Sequence, residues 1–297
     1  MGKNIRYILE CYIVKSFFIL SRILPISIIT YYYSHVFMVI GSRLKANKVA
    51  KQNLKMIYPN KTNSEINKIT ASVWQNLGHN FAEFPLFSTI NKEQFLSYVK
   101  IIGLENIMSH IDEGKPVLLF SAHYSNWEVI SAFLKHYKIK TNMIYRKTNN
   151  PYLNEVIINA RSSEYFIMHS KGRRNAMKVV EGLKEGITIA SFVDQKLHEG
   201  IKVPFLGKDA MSPPLLAQLA HKYKYPLIGV HVRRIGNLKY ELVIEPELKY
   251  KKINNKEKQI NEIMTSVNKR IEHWVNSSPG QWFWVHNRWL DHPNTKR

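Results

Sequence analysis

Two short apolar runs, set among helical patterns, most constrain what this chain can fold into. Residues 116–121 (PVLLFS) and 187–193 (ITIASFV) have strand length and carry no charge, the mark of strands buried on both faces. Around them the pattern predicts a helix over 126–137, a strand over 141–145 and a helix from Pro151 towards Arg161. Helices over 176–183, 212–223 and 256–275, with strands over 227–235 and 240–244, continue the alternation. The segment from 212 opens Ser212-Pro213-Pro214, a cap followed by proline in the first turn. Upstream, Ile66, Ile69, Val73, Leu77, Phe81 and Phe84 recur at three-to-four spacing. That spacing predicts an amphipathic helix over 64–84 with Ser64 as its N-cap. Strands alternating with helices imply an α/β domain with a largely parallel or mixed sheet. Functional residues in such folds gather at the carboxyl ends of strands.

The chain ends of this pattern differ from its middle. Lys3 and Arg6 precede a long apolar stretch interrupted by Glu10, Lys15 and Arg22, with no small-residue cleavage site after it. A removed signal peptide is therefore not expected. From Ile23 to Ser42 no residue carries a formal charge, a length close to the ~20 residues of a membrane span. Pro25, Ser27, Thr30, Ser34 and His35 dilute that stretch, and Tyr31, Tyr32 and Tyr33 suit an interface. The expectation is an N-terminal membrane-anchoring segment, 1–42, spanning or interfacial, ahead of a catalytic domain, 43–297. A buried helix of the globular domain is the alternative. At the other end Trp274, Trp282, Trp284 and Trp289 suit either a core or a membrane-interface belt.

Charge narrows the partners. The chain has 43 Lys and Arg against 22 Asp and Glu, a formal charge of +21, so something anionic is expected to bind. Residues 129–180 hold ten basic and two acidic side chains, densest at Lys171-Gly172-Arg173-Arg174. A nucleic-acid partner is not expected, because no recognisable binding motif is present and the aromatic residues lie in apolar segments rather than among the basic ones. One cysteine, Cys11, excludes an intramolecular disulfide framework and a multi-thiolate zinc site. There is no Gly-x-Ser-x-Gly elbow. The run from Gly200 to Lys208 is mis-spaced for a phosphate loop and ends on Asp209. No His, Asp and Glu cluster has metal-ligand spacing. Chemistry without a metal or organic cofactor is expected.

The candidate chemistry sits directly after the first buried run, in Ala122-His123-Tyr124-Ser125-Asn126-Trp127-Glu128. On one continuous helix His123 and Glu128 would be about 500° apart and on different faces. With His123 in a turn and Asn126 capping the helix, Glu128 falls in the first helical turn and can reach back to the imidazole. A carboxylate on one ring nitrogen fixes the tautomer and strengthens the other nitrogen as a base. Spacing alone leaves open a packed histidine with a capping glutamate.

His-x4-Glu directly after an apolar strand resembles the signature of the glycerolipid acyltransferase superfamily, and the wider text resembles the late acyltransferases of lipid A biosynthesis, the lauroyl and myristoyl transferases. Four further stretches agree in order and spacing. They are Asn53-Leu54-Lys55-Met56-Ile57-Tyr58-Pro59, Tyr145-Arg146-Lys147-Thr148-Asn149-Asn150-Pro151, Asp194-Gln195 with Val203-Pro204-Phe205-Leu206-Gly207, and Trp282 to Trp289. The resemblance covers most of the chain. It implies a glycerol-3-phosphate acyltransferase-like fold, a mixed sheet flanked by helices behind an N-terminal hydrophobic membrane-anchoring helix. It implies His123 and Glu128 as the catalytic pair, and Arg146, Asn126, Asp194 and Gln195 as substrate-binding residues, with Asp194 orienting Arg146 or substrate. It implies acyl carrier protein as acyl donor and a hydroxyl of a lipid A precursor as acceptor. The place implied is the cytoplasmic face of an anionic bacterial inner membrane. A lysophospholipid, an aminolipid or another glycolipid is the alternative acceptor. The sequence departs from the family where a basic run usually follows the tryptophan: here stand His286, Asn287, Arg288 and Trp289. That departure bears on the lipid A acceptor more than on the acyl transfer.

Overall fold

A computed structural model describes residues 3–145, 147–170 and 172–289. Four helices lead: α1 (Lys3–Ile23), α2 (Ile26–Gly41), α3 (Lys45–Ile57) and α4 (Asn63–Thr89). The α/β part runs α5 (Lys92–Tyr98), β1 (Val99–Ile102), α6 (Glu105–Asp112), β2 (Leu118–Ser121), α7 (Glu128–His136), β3 (Thr141–Tyr145), α8 (Pro151–Arg161), β4 (Phe166–Ser170), α9 (Arg173–Lys184) and β5 (Thr188–Phe192). Then come a hairpin, β6 (Ile201–Phe205) and β7 (Lys208–Ser212), α10 (Leu215–Tyr223), β8 (Leu227–Gly236), β9 (Lys239–Glu247), α11 (Lys256–Ser277) and a 3-10 turn, Pro279–Gln281.

The main sheet has the order β1-β9-β8-β2-β5-β3-β4. Every neighbouring pair is parallel except β8–β9. The expected mixed α/β sheet flanked by helices is therefore present. Strand β2 is central and buries both faces. Leu118 and Phe120 face a core shared with Leu216 and Leu219 of α10 and Ile263, Val267 and Trp274 of α11. Leu119 faces the opposite core with Phe133 of α7, Phe87 of α4 and Ile228 of β8. This period of two on both sides explains why PVLLFS reads as an unbroken apolar run.

Local signals account for several boundaries. The N-cap of helix α4 is Thr62, two residues before Ser64, because Thr62 forms a capping box with Glu65: Thr62 Oγ1 accepts from the Glu65 N–H at 3.2 Å and the Glu65 carboxylate accepts from the Thr62 N–H at 2.8 Å. Asn150 caps α8 with Pro151 at its first position, accepting from the N–H groups of Tyr152 and Leu153. Ser212 does not cap α10. It ends β7, and its hydroxyl accepts from Arg288. Leu206 and Gly207 both have positive φ, 50° and 74°, which suits the two-residue hairpin joining β6 to β7.

The N-terminus corrects the spanning-anchor expectation. Pro25 splits the uncharged stretch, so α2 has 16 residues, about 24 Å at 1.5 Å per residue against a hydrocarbon core of ~30 Å. Among the described residues no helix is long and apolar enough to cross a membrane. Helix α2 instead packs tightly on α4. A Cβ at Gly78 would stand 2.4 Å from the Tyr33 carbonyl oxygen, and one at Gly41 would stand 2.1 Å from the Trp74 ring. The helices still show apolar residues to the outside, with Ile5, Leu9, Ile13 and Ile23 of α1 and Ile28 and Tyr31 of α2 all exposed. Tyr7, Cys11 and Phe17 occupy the buried face of α1.

The tryptophan block is core. Trp274, Trp282, Trp284 and Trp289 are all fully buried, and each indole N–H has an acceptor: Glu245, Asp194, the Pro279 carbonyl and the Phe205 carbonyl. Asn53 of the early block donates to the carbonyls of both Trp284 and His286 at 2.8 Å, which joins two distant sequence blocks in one core.

Candidate active site

The site forms where β2 and β5 end side by side. These strands are parallel neighbours, with Ser121 level with Phe192. The residues two further along, His123 and Asp194, are therefore level as well. Asp194 Oδ1 lies 2.8 Å from His123 Nδ1, and Asp194 Oδ2 accepts the His123 backbone N–H at 2.9 Å. Trp282 Nε1 donates to the same Oδ2 at 2.9 Å. Asp194 is completely buried. Burial alone pushes its carboxyl up, but the His123 charge and hydrogen bond, with His286 adding to them, outweigh it and hold the group down at about 2.

An ionised carboxylate can only accept, so the proton on Nδ1 is donated to Asp194 and Nε2 is left as the acceptor. His123 is only partly exposed, at 21 % for its side chain. Trp127, Phe192 and Phe283 surround its ring at 4.8–6.0 Å between centroids. Gln195 brings its amide nitrogen to 3.4 Å from His123 Nε2, at the one side of the ring not occupied by Asp194. The arrangement can serve as a base with its orienter, set in an aromatic cup with Nε2 facing Gln195.

Glu128 is not that orienter. Its carboxylate is held in a fork by Arg161, the last residue of α8: Arg161 Nε donates to Oε2 at 2.8 Å and Nη2 donates to Oε1. The sequence argument placed Glu128 correctly in the first turn of a helix after His123, but the turn carries the carboxylate towards α8. Asn126 is also engaged rather than free. Its Oδ1 accepts the Glu128 N–H at 3.1 Å and its Nδ2 donates to Glu83 at 2.7 Å. Fully buried, Asn126 fixes the turn. Of the expected substrate-binding set, Asp194 and Gln195 lie at the base and Asn126 beneath it. Arg146 falls outside the described residues.

The turn itself is strained and clamped. Ser125 has φ 53°, unfavourable for a residue with a Cβ. Asn76 and Asn80 of α4 both donate to its carbonyl, and its N–H donates to the Gln281 carbonyl at 2.7 Å. Below the turn lies a buried charge. Glu83 of α4 has no exposure and accepts from Arg234 Nη1 at 2.7 Å, from Arg234 Nη2 at 3.0 Å, from Tyr240 and from Asn126. Burial, with Glu83 beside it, pushes the Tyr240 hydroxyl well up, so it stays a donor. These bonds satisfy a carboxylate that would otherwise be very costly to bury.

Sequence reasoning missed Glu83, Asn80, Arg161 and Arg234, which lie far from His123 along the chain and carry no local motif. The pairing of His123 with Asp194 had a usable signal: each stands within two residues of the end of a recognised buried strand.

The family model described as bacterial lipid A biosynthesis acyltransferase matches residues 3–291. The chain is similar to the lipid A biosynthesis palmitoleoyltransferase of Escherichia coli (strain K12), with 22 % identity over 255 residues, covering 84 % of this chain and 80 % of that protein. A lipid A biosynthesis acyltransferase of Shigella flexneri matches with the same identity and coverage.

Proposed function

The chain belongs to the bacterial lipid A biosynthesis acyltransferase family and is an acyltransferase, and from that premise we propose that it moves a fatty acyl chain from an acyl carrier protein thioester to a hydroxyl of a lipid A precursor. The observation that carries the reading is His123 locked by Asp194 through Nδ1, with Nε2 open towards Gln195. Nε2 takes the proton of the acceptor hydroxyl as its oxygen attacks the thioester carbonyl. A tetrahedral oxyanion forms. It collapses with loss of the carrier thiolate, which receives the proton from His123. The enzyme forms no covalent bond to the acyl group. A base placed in this way contributes ~10²–10⁴-fold. The Gln195 amide stands where it can hold the acceptor oxygen. The Glu128–Arg161 fork ties α8 to the His123 turn, so Glu128 acts by positioning rather than by touching the imidazole.

The setting in this reading is the cytoplasmic face of a bacterial inner membrane. The exposed apolar residues of α1 and α2 rest in the interface, with Arg6 and Lys15 of α1 also exposed and able to meet anionic headgroups. The basic stretch 129–180 suits an acidic carrier protein.

The test is incubation of the purified protein with acyl-acyl carrier protein and a lipid A precursor, with lipid products read by mass spectrometry and His123→Ala run in parallel. One added acyl chain, absent in the folded variant, is expected. No product from folded wild-type protein on this acceptor, with product on a lysophospholipid, would overturn the acceptor assignment. Full activity of His123→Ala would overturn the mechanism.

A further inference from the structure

The mechanism makes no use of a cavity of about 370 Å³ where α2, α4 and the β8–β9 hairpin meet. Ligand sites are concave, roughly 300–1,000 Å³, and present a few placed polar groups. Here the polar groups dominate: Tyr31 and His35 come from α2, Gln75 and His79 from α4, and Arg234 and Asn237 from the hairpin. No carboxylate lines the cavity. The acid behind it, Glu83, has no exposure and is taken up by Arg234, Tyr240 and Asn126. Arg234 turns Nη1 and Nη2 to Glu83 and Asn80. That leaves its Nε, which can only donate, buried with no acceptor among the described residues. Lys239 adds an exposed cation: it pairs opposite Gly236 of the cavity wall, and its Cβ would stand 3.6 Å from a Cβ placed there. A wall of donors and cations without an open acid is suited to an oxyanion.

The electrostatics of His79 agree in sign. Burial lowers its ring to about 4, and the Arg234 charge acts on it in the same direction more strongly than Glu83 opposes, with His35 adding to Arg234. The field at this wall is positive although Arg234 is paired. The rim supplies the second half of the argument. Tyr31, which lines the cavity, is 67 % exposed, and its neighbour Tyr32 and the hairpin residue Ile235, next to Gly236, are exposed as well. Tyrosines beside an exposed isoleucine suit the level of lipid headgroups. A positive, donor-lined cavity within such a rim matches an anion that is carried on a lipid, with the charge inside and the chain outside.

We propose that this cavity binds the phosphate ester of a lipid headgroup, with Gln75 and Asn237 at its mouth and Arg234 in its wall. The inference rests on the interfacial reading of α2 for the lipid, and on the cavity alone for the phosphate. Helix α4 links the cavity to the base. Gln75 and His79 line the cavity, while Asn76 and Asn80 hold the Ser125 carbonyl in the turn that carries His123. A headgroup seated here fixes the place of that turn relative to the bilayer surface.

The experiment uses the full chain and water-soluble probes, read by isothermal titration calorimetry up to about 10 mM probe. Glycerophosphoglycerol represents a bilayer phospholipid, glucosamine phosphate a phosphorylated sugar acceptor, and glycerol is the uncharged control. The wild type is expected to bind at least one phosphate probe and not glycerol, and the better-bound probe identifies the source of the headgroup. Gln75→Glu and Asn237→Asp each place a carboxylate on an exposed residue at the mouth and are expected to weaken binding roughly tenfold or more. Lys258→Gln makes the same change in net charge at an exposed position of α11 and is expected to bind like the wild type. Should one of the two mouth variants fail to fold, the other decides. Absence of binding by both phosphate probes overturns the proposal. So does binding that the folded mouth variants leave unchanged. Phosphate binding by a protein that does not sediment with anionic vesicles would overturn the interfacial reading of α2 and leave the phosphate site standing. Phosphate binding without any acyl transfer would overturn the proposed function and likewise leave the site standing.

Discussion

Asp194→Asn is the most discriminating single change, because it keeps volume and alters only which atoms donate. Asp194 Oδ2 accepts two N–H groups that cannot turn away, the His123 backbone N–H and Trp282 Nε1, both at 2.9 Å. The introduced amide oxygen must occupy that position, since an NH₂ there would face two donors. The NH₂ group then points at His123 Nδ1, formerly 2.8 Å from Oδ1. A donor at that point requires Nδ1 to accept, which moves the ring proton to Nε2 and removes the base. The expected loss in kcat is ~10²–10⁴-fold, or about 3–5 kcal/mol of transition-state stabilisation, with a far smaller change in KM. The assay is steady-state acyl transfer, with circular dichroism to show the fold intact. Folded Asp194→Asn protein with kcat within about tenfold of the wild type would refute the assignment of Asp194 as orienter. A Glu128→Gln variant that raised the tautomer problem instead would return that role to Glu128.

Three other outcomes are expected. Arg161→Met leaves the buried Glu128 carboxylate without its fork; Arg161 is partly exposed, at 26 %, so the expected loss is about 1–3 kcal/mol, read as a lower urea midpoint, and an unchanged midpoint would refute it. Acid should destabilise the fold below about pH 6.5, because burial lowers His231 to about 3 and His79 and His286 to about 4. The unfolded chain then binds more protons than the native state between those values, so stability rises with pH across that window, and equal urea midpoints at pH 5 and pH 7.5 would contradict it. Replacing Ile13 and Ile23 of α1 with Glu should weaken co-sedimentation with anionic phospholipid vesicles without lowering the thermal midpoint, because both side chains are exposed, at 69 % and 72 %; unchanged co-sedimentation would count against an interfacial role.

What the sequence could show follows from what is encoded locally. The strands β2, β5, β8 and β9 were legible because burial on one or both faces leaves a short apolar or alternating run. Short β1 and β4 were not, since Val99–Ile102 and Phe166–Ser170 are partly exposed and carry Lys100 and His169. The split at Pro25 was visible as a residue, but the packing of α2 on α4 depends on Gly41 and Gly78 meeting Trp74 and Tyr33, which no local pattern reports. His123 was found because a polar residue directly after a buried strand stands out. Its partner was assigned to Glu128 because the two are near in sequence, whereas hydrogen bonding obeys sheet order: β5 lies beside β2, so Asp194 reaches the imidazole and Glu128 is left to Arg161. The same topology explains why the C-terminal block, read as core or interface, belongs to the site. Helix α11 returns the chain beneath the sheet, and Trp282 then reaches Asp194 with His286 packed on Trp282 and Phe283. The departure from the usual basic run, at His286, Asn287, Arg288 and Trp289, therefore falls in the same segment that brings Trp282 to Asp194.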